Sequence, residues 1–187
     1  IKNTPSDIYS EEGFRSVSTN PCGEIILSEY DSCRLLVLNL YSYVINKFKS
    51  NSKFDYEKFE NHSIKAQRLM DDLIDIELEQ IEKILRKIES DPEPADVKLV
   101  EMNLWLRIKE VCRNGRRTGL GITALGDTLA ALNIRYGSEE SITTTEKIYK
   151  AMALGAYKSS IIMAKERGCF PIFSYEKEKD HQFLSQR

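Results

Sequence analysis

Cysteine, charge of one sign and long apolar runs are all scarce in this 187-residue chain, and each scarcity argues against a class of protein. Its four cysteines (Cys22, Cys33, Cys112 and Cys169) include no C-x-x-C pair. We therefore expect neither a zinc site nor a disulfide framework, and a reducing cytoplasmic setting fits better. The 27 basic and 29 acidic residues leave a net charge of −2, which gives no field that would attract nucleic acid. No apolar run approaches the ~20 residues of a membrane span.

The length and composition are those of a soluble globular protein. Hydrophobic residues make up 41% of the chain and charged residues 30%, a balance that argues against a wholly disordered protein. A chain of this length can bury a core without a metal or a disulfide. It begins at Ile1 rather than at methionine, and we expect it to be a segment of a longer protein. We expect the charged residues 174–187 to form a solvated tail.

Two helices are predicted in the middle of the sequence. Apolar residues recur at helical spacing over 56–89 and again over 96–113, and Asp55 is a suitable N-cap for the first helix. A proline-containing turn separates them, because proline cannot continue a helix. We therefore predict an antiparallel hairpin over 55–113 that packs through its apolar faces. These faces comprise Ala66, Leu69, Met70, Leu73, Ile81, Ile84, Leu85 and Ile88 on the first helix, and Val97, Val100, Leu104, Ile108 and Val111 on the second.

The residues before the hairpin predict loops and strands. Residues 1–48 begin with a polar mixed stretch and end in an apolar stretch, 35–48, that is compatible with either a strand or a helix.

We expect the whole chain, 1–187, to be a single segment of one domain.

The residues after the hairpin, 116–173, predict a strand and two helices. A short, glycine-marked apolar stretch over 116–122 indicates a buried strand, and 123–132 indicates a helix. A longer helix follows, with Ser138 as its N-cap and Gly168 at its end.

The densest group of chemically useful side chains is Asn20-Pro21-Cys22-Gly23-Glu24. Proline and glycine beside the cysteine disfavour a helix, and alternate side chains of an extended loop point the same way. An amide, a thiol and a carboxylate would then face one substrate. The thiol can exchange hydrogen, the carboxylate can take a proton, and the amide can hold a hydroxyl. The alternative is a turn with a buried structural cysteine and a solvent-facing glutamate.

A second thiol, Cys33, follows in the stretch Asp31-Ser32-Cys33. A second thiol this close in sequence to the first can form a redox pair. Free cysteine also often serves as a small buried hydrophobe. The residues alone leave both interpretations open.

Five sequence blocks, in this order, resemble the catalytic (large) subunit of ribonucleotide reductase. The first, TNPCGE over 19–24, is similar to the family's finger-loop signature, and the second, DSCRLLVLNL over 31–40, to its E-S-C-N-L-G-S-I-N-L segment. The other three are GRRTGLGITALGD over 115–127, LNIRYGSEE over 132–140 and ERGCFP over 166–171. Together the blocks span most of the chain.

The resemblance implies a role for each of the site residues. Cys22 aligns with the cysteine whose transient thiyl radical removes the 3′ hydrogen of the ribose. Glu24 aligns with the base that takes the 3′-hydroxyl proton, and Asn20 with the amide that holds the ribose hydroxyls. Substrate contacts are implied for all of 20–24. Cys33 aligns with one member of the cysteine pair that reduces the 2′ position and ends as a disulfide.

The fold implied by the resemblance is α/β, part of a ten-stranded α/β barrel with its finger loop, dominated in this segment by long helices. The implied activity is that of a cytoplasmic oxidoreductase that reduces ribonucleoside diphosphates to deoxyribonucleotides for DNA synthesis. Implied partners are the ribonucleotide substrate, the remaining segments of the reductase and a thiol reductant such as thioredoxin, with neither nucleic acid nor membrane bound directly. The long hairpin favours the adenosylcobalamin-dependent class, and an iron-radical partner subunit is the alternative. No cobalamin ligand can be named in the chain.

The sequence also departs from the family pattern. Arg34, Leu36 and Val37 stand where the resembled segment has asparagine, glycine and serine, which changes the packing below the site. The partner of Cys33 is expected before Ile1, and we identify no phosphate-binding loop, so we expect the chain alone to be inactive. The alternative function is an inactive remnant, or a helical interaction module, derived from this fold.

The other candidate residues have simpler explanations. Arg116 and Arg117 can contact a phosphate, but a solvated or helix-capping pair is the default interpretation. His62 and His181 lack metal-ligand spacing, and we predict no metal site. Two cysteines, Cys112 and Cys169, are expected to be buried and inert. Core positions are expected for Tyr41, Tyr43, Phe54, Tyr56 and Phe59.

Overall fold

The computed structural model describes residues 8–21, 23, 25–32 and 34–181. Its strands are β1 (Ser18–Thr19), β2 (Ile26–Leu27), β3 (Arg34–Asn39), β4 (Val44–Ile45), β5 (Lys53–Phe54) and β6 (Thr118–Thr123). Its α-helices are α1 (Tyr56–Ser90), α2 (Ala95–Gly115), α3 (Leu125–Ala131), α4 (Glu139–Arg167) and α5 (Tyr175–Glu178). β1 pairs with β2 and β4 with β5, both antiparallel, and β3 pairs with β6. The described residues are therefore mostly helical and contain no closed barrel.

The chain divides into two compact units. The first contains Ile1–Arg34, Asp71–Thr118 and Cys169–Arg187, and the second contains Leu35–Met70 and Gly119–Gly168. Each helix of the hairpin ends within two residues of its predicted bounds, because capping and apolar spacing are local signals. That all of the chain belongs to a single domain stays a prediction.

The second unit has an aromatic core. The stretch that was compatible with strand or helix forms β3, a 3₁₀ turn and β4, and it brings Leu40 and Tyr43 inside. The rings of Tyr43, Phe54 and Phe59 meet at tilted and T-shaped angles, an arrangement that aromatic pairs favour. The other members of the buried cluster are Val44, Ala131, Ile148 and Ala151. The predicted core positions are confirmed for Tyr43, Phe54 and Phe59, with Tyr41 and Tyr56 packed partly buried against the cluster.

Helix α4 begins and ends where the sequence predicts. The Ser138 side chain accepts a hydrogen bond from the backbone of Ser141, and Gly168 caps the last turn. Within the second unit α4 lies very close to α1 at Gly155. A Cβ atom built on that glycine would lie 2.9 Å from the backbone oxygen of Glu60 and 2.9 Å from the Cβ of Ser63. A small residue is therefore required there.

In the first unit α2 runs antiparallel to α1, as predicted. Lys98 donates to the backbone oxygens of Glu89 (2.7 Å) and Asp91 (3.0 Å) near the turn. Lys109 forms an ion pair with Glu82 further along. These contacts pair early residues of α2 with late residues of α1, which defines an antiparallel hairpin.

The predicted face of α2 is confirmed only in part, since its first three residues are exposed whereas Ile108 and Val111 are half-buried. Val97, Val100 and Leu104 are 41%, 70% and 46% exposed, and Leu69 and Leu73 of α1 are also exposed. Besides Ile108 and Val111, the half-buried or buried residues of α2 include a neighbouring set at helical spacing: Lys98, Met102, Trp105, Lys109 and Cys112. The two lysines lie on this face because their ammonium groups reach acceptors on α1 while their alkyl stems stay against the helix.

Part of the C-terminal segment that we predicted as a solvated tail forms a short helix, in which Tyr175 and Glu176 are exposed. Ser174 caps the short helix α5, and its backbone NH donates to the Tyr9 hydroxyl at 3.2 Å. Tyr9 in turn donates to Glu178. Burial and this bond raise the pKa of Tyr9 to about 12. Among the residues that the structure describes, no helix is both long and apolar enough to span a membrane.

Candidate active site

The described residues Asn20, Pro21, Gly23 and Ile25 lie in the connection between β1 and β2. Ser18 is paired with Leu27, and Thr19 with Ile26. The Asn20 backbone NH donates to the Ile25 oxygen at 3.0 Å, which closes the loop between the two strands. The Gly23 NH donates to the Asn20 oxygen at 3.0 Å, and Gly23 has a φ of +79°, a conformation that glycine adopts most readily.

Three of the predicted site residues, Cys22, Glu24 and Cys33, lie outside the described residues. The prediction that Cys22 and Glu24 share one face of the loop therefore stays a prediction. Asn20 is described and half-buried, and its Oδ1 accepts the Ile25 NH at 3.1 Å. This bond fixes the amide plane at the base of the loop.

Sequence reasoning missed the residues that hold the hairpin in place. Arg117 donates from Nε to Asp31 Oδ2 at 2.5 Å and from Nη1 to the Ile26 oxygen at 3.1 Å. The Asp31 side chain is 2% exposed and that of Arg117 is 24% exposed. The default interpretation of Arg117 as a solvated arginine is therefore wrong. The sequence did show an acidic residue, Asp31, and a basic residue, Arg117, each inside a block that resembles the family. Because 86 residues separate them, nothing in the sequence indicated that they pair.

A second arginine, Arg34, is buried directly after Cys33 in the sequence. Its Nε lies 2.5 Å from Glu77 Oε2 on α1, and its Nη2 lies 2.8 Å from the Cys112 sulfur on α2. Its Nη1 donates to the Ser32 oxygen at 3.1 Å. Burial raises the pKa of Cys112, so the thiol form is favoured despite the guanidinium nearby. Arg34, which departs from the family pattern, thus joins the start of β3 to both hairpin helices.

The other arginine of the pair, Arg116, neutralises an acidic cluster on α1. Its Nε lies 2.7 Å from Asp71 and its Nη1 lies 2.8 Å from Asp75. Burial by itself would lower its pKa, but the hydrogen bonds that Arg116 donates to the two aspartates, together with their negative charges, outweigh burial and raise the pKa above the usual value. Asp71, Asp72 and Asp75 have oxygens close enough together for a cation. Since Arg116 already supplies a positive charge there, we assign no metal. Arg116 also caps α2, so half of the default interpretation is confirmed.

The two remaining predicted thiols differ. Cys112 is buried, as expected, but Cys169 is exposed, so that prediction is wrong. Gly168 ends α4 just before Cys169, and the chain leaves the helix at the surface.

His62 is half-buried rather than on the open surface. Its Nδ1 lies 3.0 Å from the Tyr43 hydroxyl, and burial raises the pKa of Tyr43. An open cleft of about 560 Å³ lies beside it at the start of α1. Apart from Ile64, the residues that line this cleft are polar or charged: Asp55, Glu57, Lys58, Asn61, His62 and Lys65.

Comparison with known proteins supports the resemblance found in the sequence. A family model described as the ribonucleotide reductase barrel domain matches residues 7–186. A vitamin B12-dependent ribonucleoside-diphosphate reductase from Thermoplasma acidophilum is 32% identical over 164 residues, which are 86% of this chain and 18% of that protein. The enzyme of the same name from Mycobacterium tuberculosis is 31% identical over 160 residues, 86% of this chain and 19% of that protein.

A solved structure shows the same fold. The class Id ribonucleotide reductase alpha subunit of Actinobacillus ureae superposes with a TM-score of 0.57 at 21% identity, over 89% of this chain and 27% of that chain. This chain thus spans about a fifth of the length of the curated relatives that it matches. A family match over nearly the whole chain does not favour the alternative of a remnant or helical interaction module. The chain belongs to the ribonucleotide reductase family and is a segment of its α/β barrel domain.

Proposed function

We propose that the complete protein containing this chain reduces ribonucleoside diphosphates to deoxyribonucleotides through a cysteine radical. The observation that carries the proposal is the family match over 7–186, which includes the block Asn20-Pro21-Cys22-Gly23-Glu24. The names of the two curated relatives support a diphosphate substrate. We place the protein in the cytoplasm, with a thiol reductant such as thioredoxin as its electron donor.

The proposed reaction begins at Cys22. Its sulfur radical takes the 3′ hydrogen of the ribose, which forms an S–H bond and leaves a radical on C3′. Glu24 takes the 3′-hydroxyl proton, and a glutamate of ordinary pKa, about 4.3, is already ionised at neutral pH for this task. The 2′-hydroxyl then leaves as water, which is far easier beside a carbon radical than in a closed-shell sugar.

Asn20 and Cys33 complete the proposed site. We propose that the Asn20 amide holds the ribose hydroxyls, and its bond to Ile25 fixes the amide for this purpose. Cys33 and a second cysteine supply two electrons and two protons to the sugar and end as a disulfide. The external thiol then reduces that disulfide. Return of the hydrogen from Cys22 to C3′ regenerates the sulfur radical.

Adenosylcobalamin is our proposed radical source, because the two curated relatives are named for vitamin B12. A radical-bearing iron subunit is the alternative. When bound, the cofactor supplies the radical that oxidises the cysteine. A corrin ring needs a broad apolar surface, and the cleft beside His62 offers Ile64 as its one apolar lining residue. That cleft does not fit the cofactor, and we assign cobalamin no ligand in this chain.

Turnover of the complete enzyme tests the proposal. The assay measures deoxynucleotide formed from a ribonucleoside diphosphate with a dithiol and either radical source. We expect Glu24→Gln to lower the rate by about 10²–10⁴-fold, because it removes the general base. Glu29→Gln is the matched control, since Glu29 is an exposed glutamate of the same region. A Glu24→Gln enzyme as fast as the control would overturn the assignment of Glu24.

A further inference from the structure

We propose that Arg117 is a positioning residue for the radical site, an inference that rests on the function proposed above. Arg117 is not one of the predicted catalytic or redox residues. Its guanidinium nevertheless contacts the stem of the finger-loop hairpin at Ile26 and the carboxylate of Asp31, two residues before Cys33 in the sequence. One side chain thus joins the two segments that carry the proposed radical cysteine and the proposed reducing cysteine.

The geometry requires an arginine. The Nε and Nη1 atoms of Arg117 point to two acceptors on different segments, Asp31 and Ile26. A guanidinium presents such donors in a rigid plane, whereas a lysine presents one flexible ammonium group. An Arg117→Lys variant is therefore able to keep the ion pair but not both contacts in this geometry.

The carboxylate of Asp31 is built into the fold. Its Oδ2 accepts from the Ser28 hydroxyl at 3.2 Å as well as from Arg117, and its Oδ1 accepts the Ser32 NH at 2.9 Å. With 2% of its side chain exposed, Asp31 depends on these partners, because an unpaired buried charge is costly. Loss of Arg117 would therefore displace the 28–32 segment or force it to open.

The residue before Arg117 is anchored to α1 by its side chain. Arg116, its neighbour, caps α2 in a left-handed conformation with a φ of 43° and binds Asp71 and Asp75. A continuous set of contacts therefore leads from α1 through Arg116 and Arg117 to the β1–β2 hairpin. A displacement of about 1 Å in reacting groups can cost about 10²-fold in rate. We therefore expect these contacts to keep the proposed site residues in their reactive positions.

Hydrogen exchange tests the structural half of the proposal. In the complete protein, Arg117→Gln should raise the exchange rate of amides in residues 17–27 by about tenfold or more, while amides of the second unit stay protected. Arg113→Gln is the matched control, because Arg113 is an exposed arginine near the end of α2, shortly before Arg117 in the sequence. Equal protection of 17–27 in both variants would overturn the proposal.

Kinetics test the functional half of the proposal with a ratio of two products, which does not depend on the fraction of enzyme that is folded. The ratio of 3′ tritium released to water per deoxynucleotide formed reports whether hydrogen abstraction and completed reduction stay coupled. We expect Arg117→Gln to lower kcat by about 10²-fold and to raise this ratio, with Arg117→Lys in between. A purely structural role would lower both quantities together, so an unchanged ratio would overturn the proposal.

The two measurements separate this inference from the function on which it rests. If the parent enzyme formed no deoxynucleotide, the proposed function would be wrong. Hydrogen exchange in 17–27 would still show whether Arg117 holds the hairpin: faster exchange in Arg117→Gln would support that contact, and unchanged exchange would overturn it.

Discussion

Gly155 of α4 and Glu60 of α1 are in such close contact that a Cβ atom on the glycine would lie 2.9 Å from the Glu60 backbone oxygen. Real Cβ atoms do not approach backbone oxygens this closely, so the two helices would have to move apart. A Cβ atom there would also lie 2.9 Å from the Cβ of the buried Ser63. Small side chains are thus what permits this helix pair.

The first prediction concerns that contact. Gly155→Ala should lower the free energy of unfolding by about 1–2 kcal/mol, because the overpacking outweighs the higher helix propensity of alanine. Gly126→Ala is the control, since no atom lies within 4 Å of its Cβ position. Urea denaturation measures both. Equal stability of the two variants would show that the helices do not approach as described.

The second prediction concerns the buried Arg34. Glu77→Gln removes the carboxylate 2.5 Å from a guanidinium that is 8% exposed. We expect a loss of about 2 kcal/mol in the free energy of unfolding, because a buried charge loses its counter-ion. Glu79→Gln, at an exposed position two residues on, should change stability by less than about 0.5 kcal/mol. A loss in both variants, or in neither, would contradict the contact.

The third prediction concerns pH. Burial and the hydrogen bond to Glu178 raise the pKa of Tyr9 to about 12, above its ordinary value of 10.0. A raised pKa means that the folded state favours the protonated phenol, so the stabilisation is full below pH 10 and is lost as the pH rises towards 12. Stability of the parent should fall more steeply over this range than that of Tyr9→Phe. Tyr175→Phe, at a tyrosine that is 67% exposed, is the control and should keep the parent's slope.

The fourth prediction concerns which residues of the helical hairpin formed by α1 and α2 are buried. Leu104→Asp should cost less than about 1 kcal/mol, because Leu104 is 46% exposed. Ile81→Asp should cost about 4 kcal/mol, since Ile81 is 2% exposed and a charge there would be buried without a partner. Thermal unfolding of the two variants measures the difference. A large loss of stability in Leu104→Asp would contradict the exposed position of Leu104 and would support the face that the sequence predicted.

The helices were predictable because their signals are local. Asp55 accepts from the Lys58 NH at 3.0 Å, and Ser138 accepts from Ser141, so capping residues mark the starts that the sequence indicated. The face of α2 was not predictable in the same way. Apolar residues lie on more than one side of that helix, and the side that meets α1 includes Lys98 and Lys109, which periodicity counts as solvent-facing.

The candidate site was predictable only in part. The finger loop follows from its own residues, since Pro21 and Gly23 exclude a helix and a hairpin tip results. The contact of Arg117 with Asp31 joins residues 86 positions apart, and no local pattern specifies such a pair. Each residue was visible in a family-like block, but which arginine met which acid depended on the three-dimensional fold.

The most direct test of the central claim is loss of 3′ tritium from the substrate in the complete enzyme with Cys22→Ser. A serine hydroxyl cannot hold the radical as a sulfur does, so we expect neither tritium release nor deoxynucleotide, against full activity in Cys169→Ser, whose cysteine is exposed. Cys33→Ser should release tritium without completing the reduction. Turnover of Cys22→Ser at the rate of the parent enzyme would contradict the assignment of Cys22 and the function built on it.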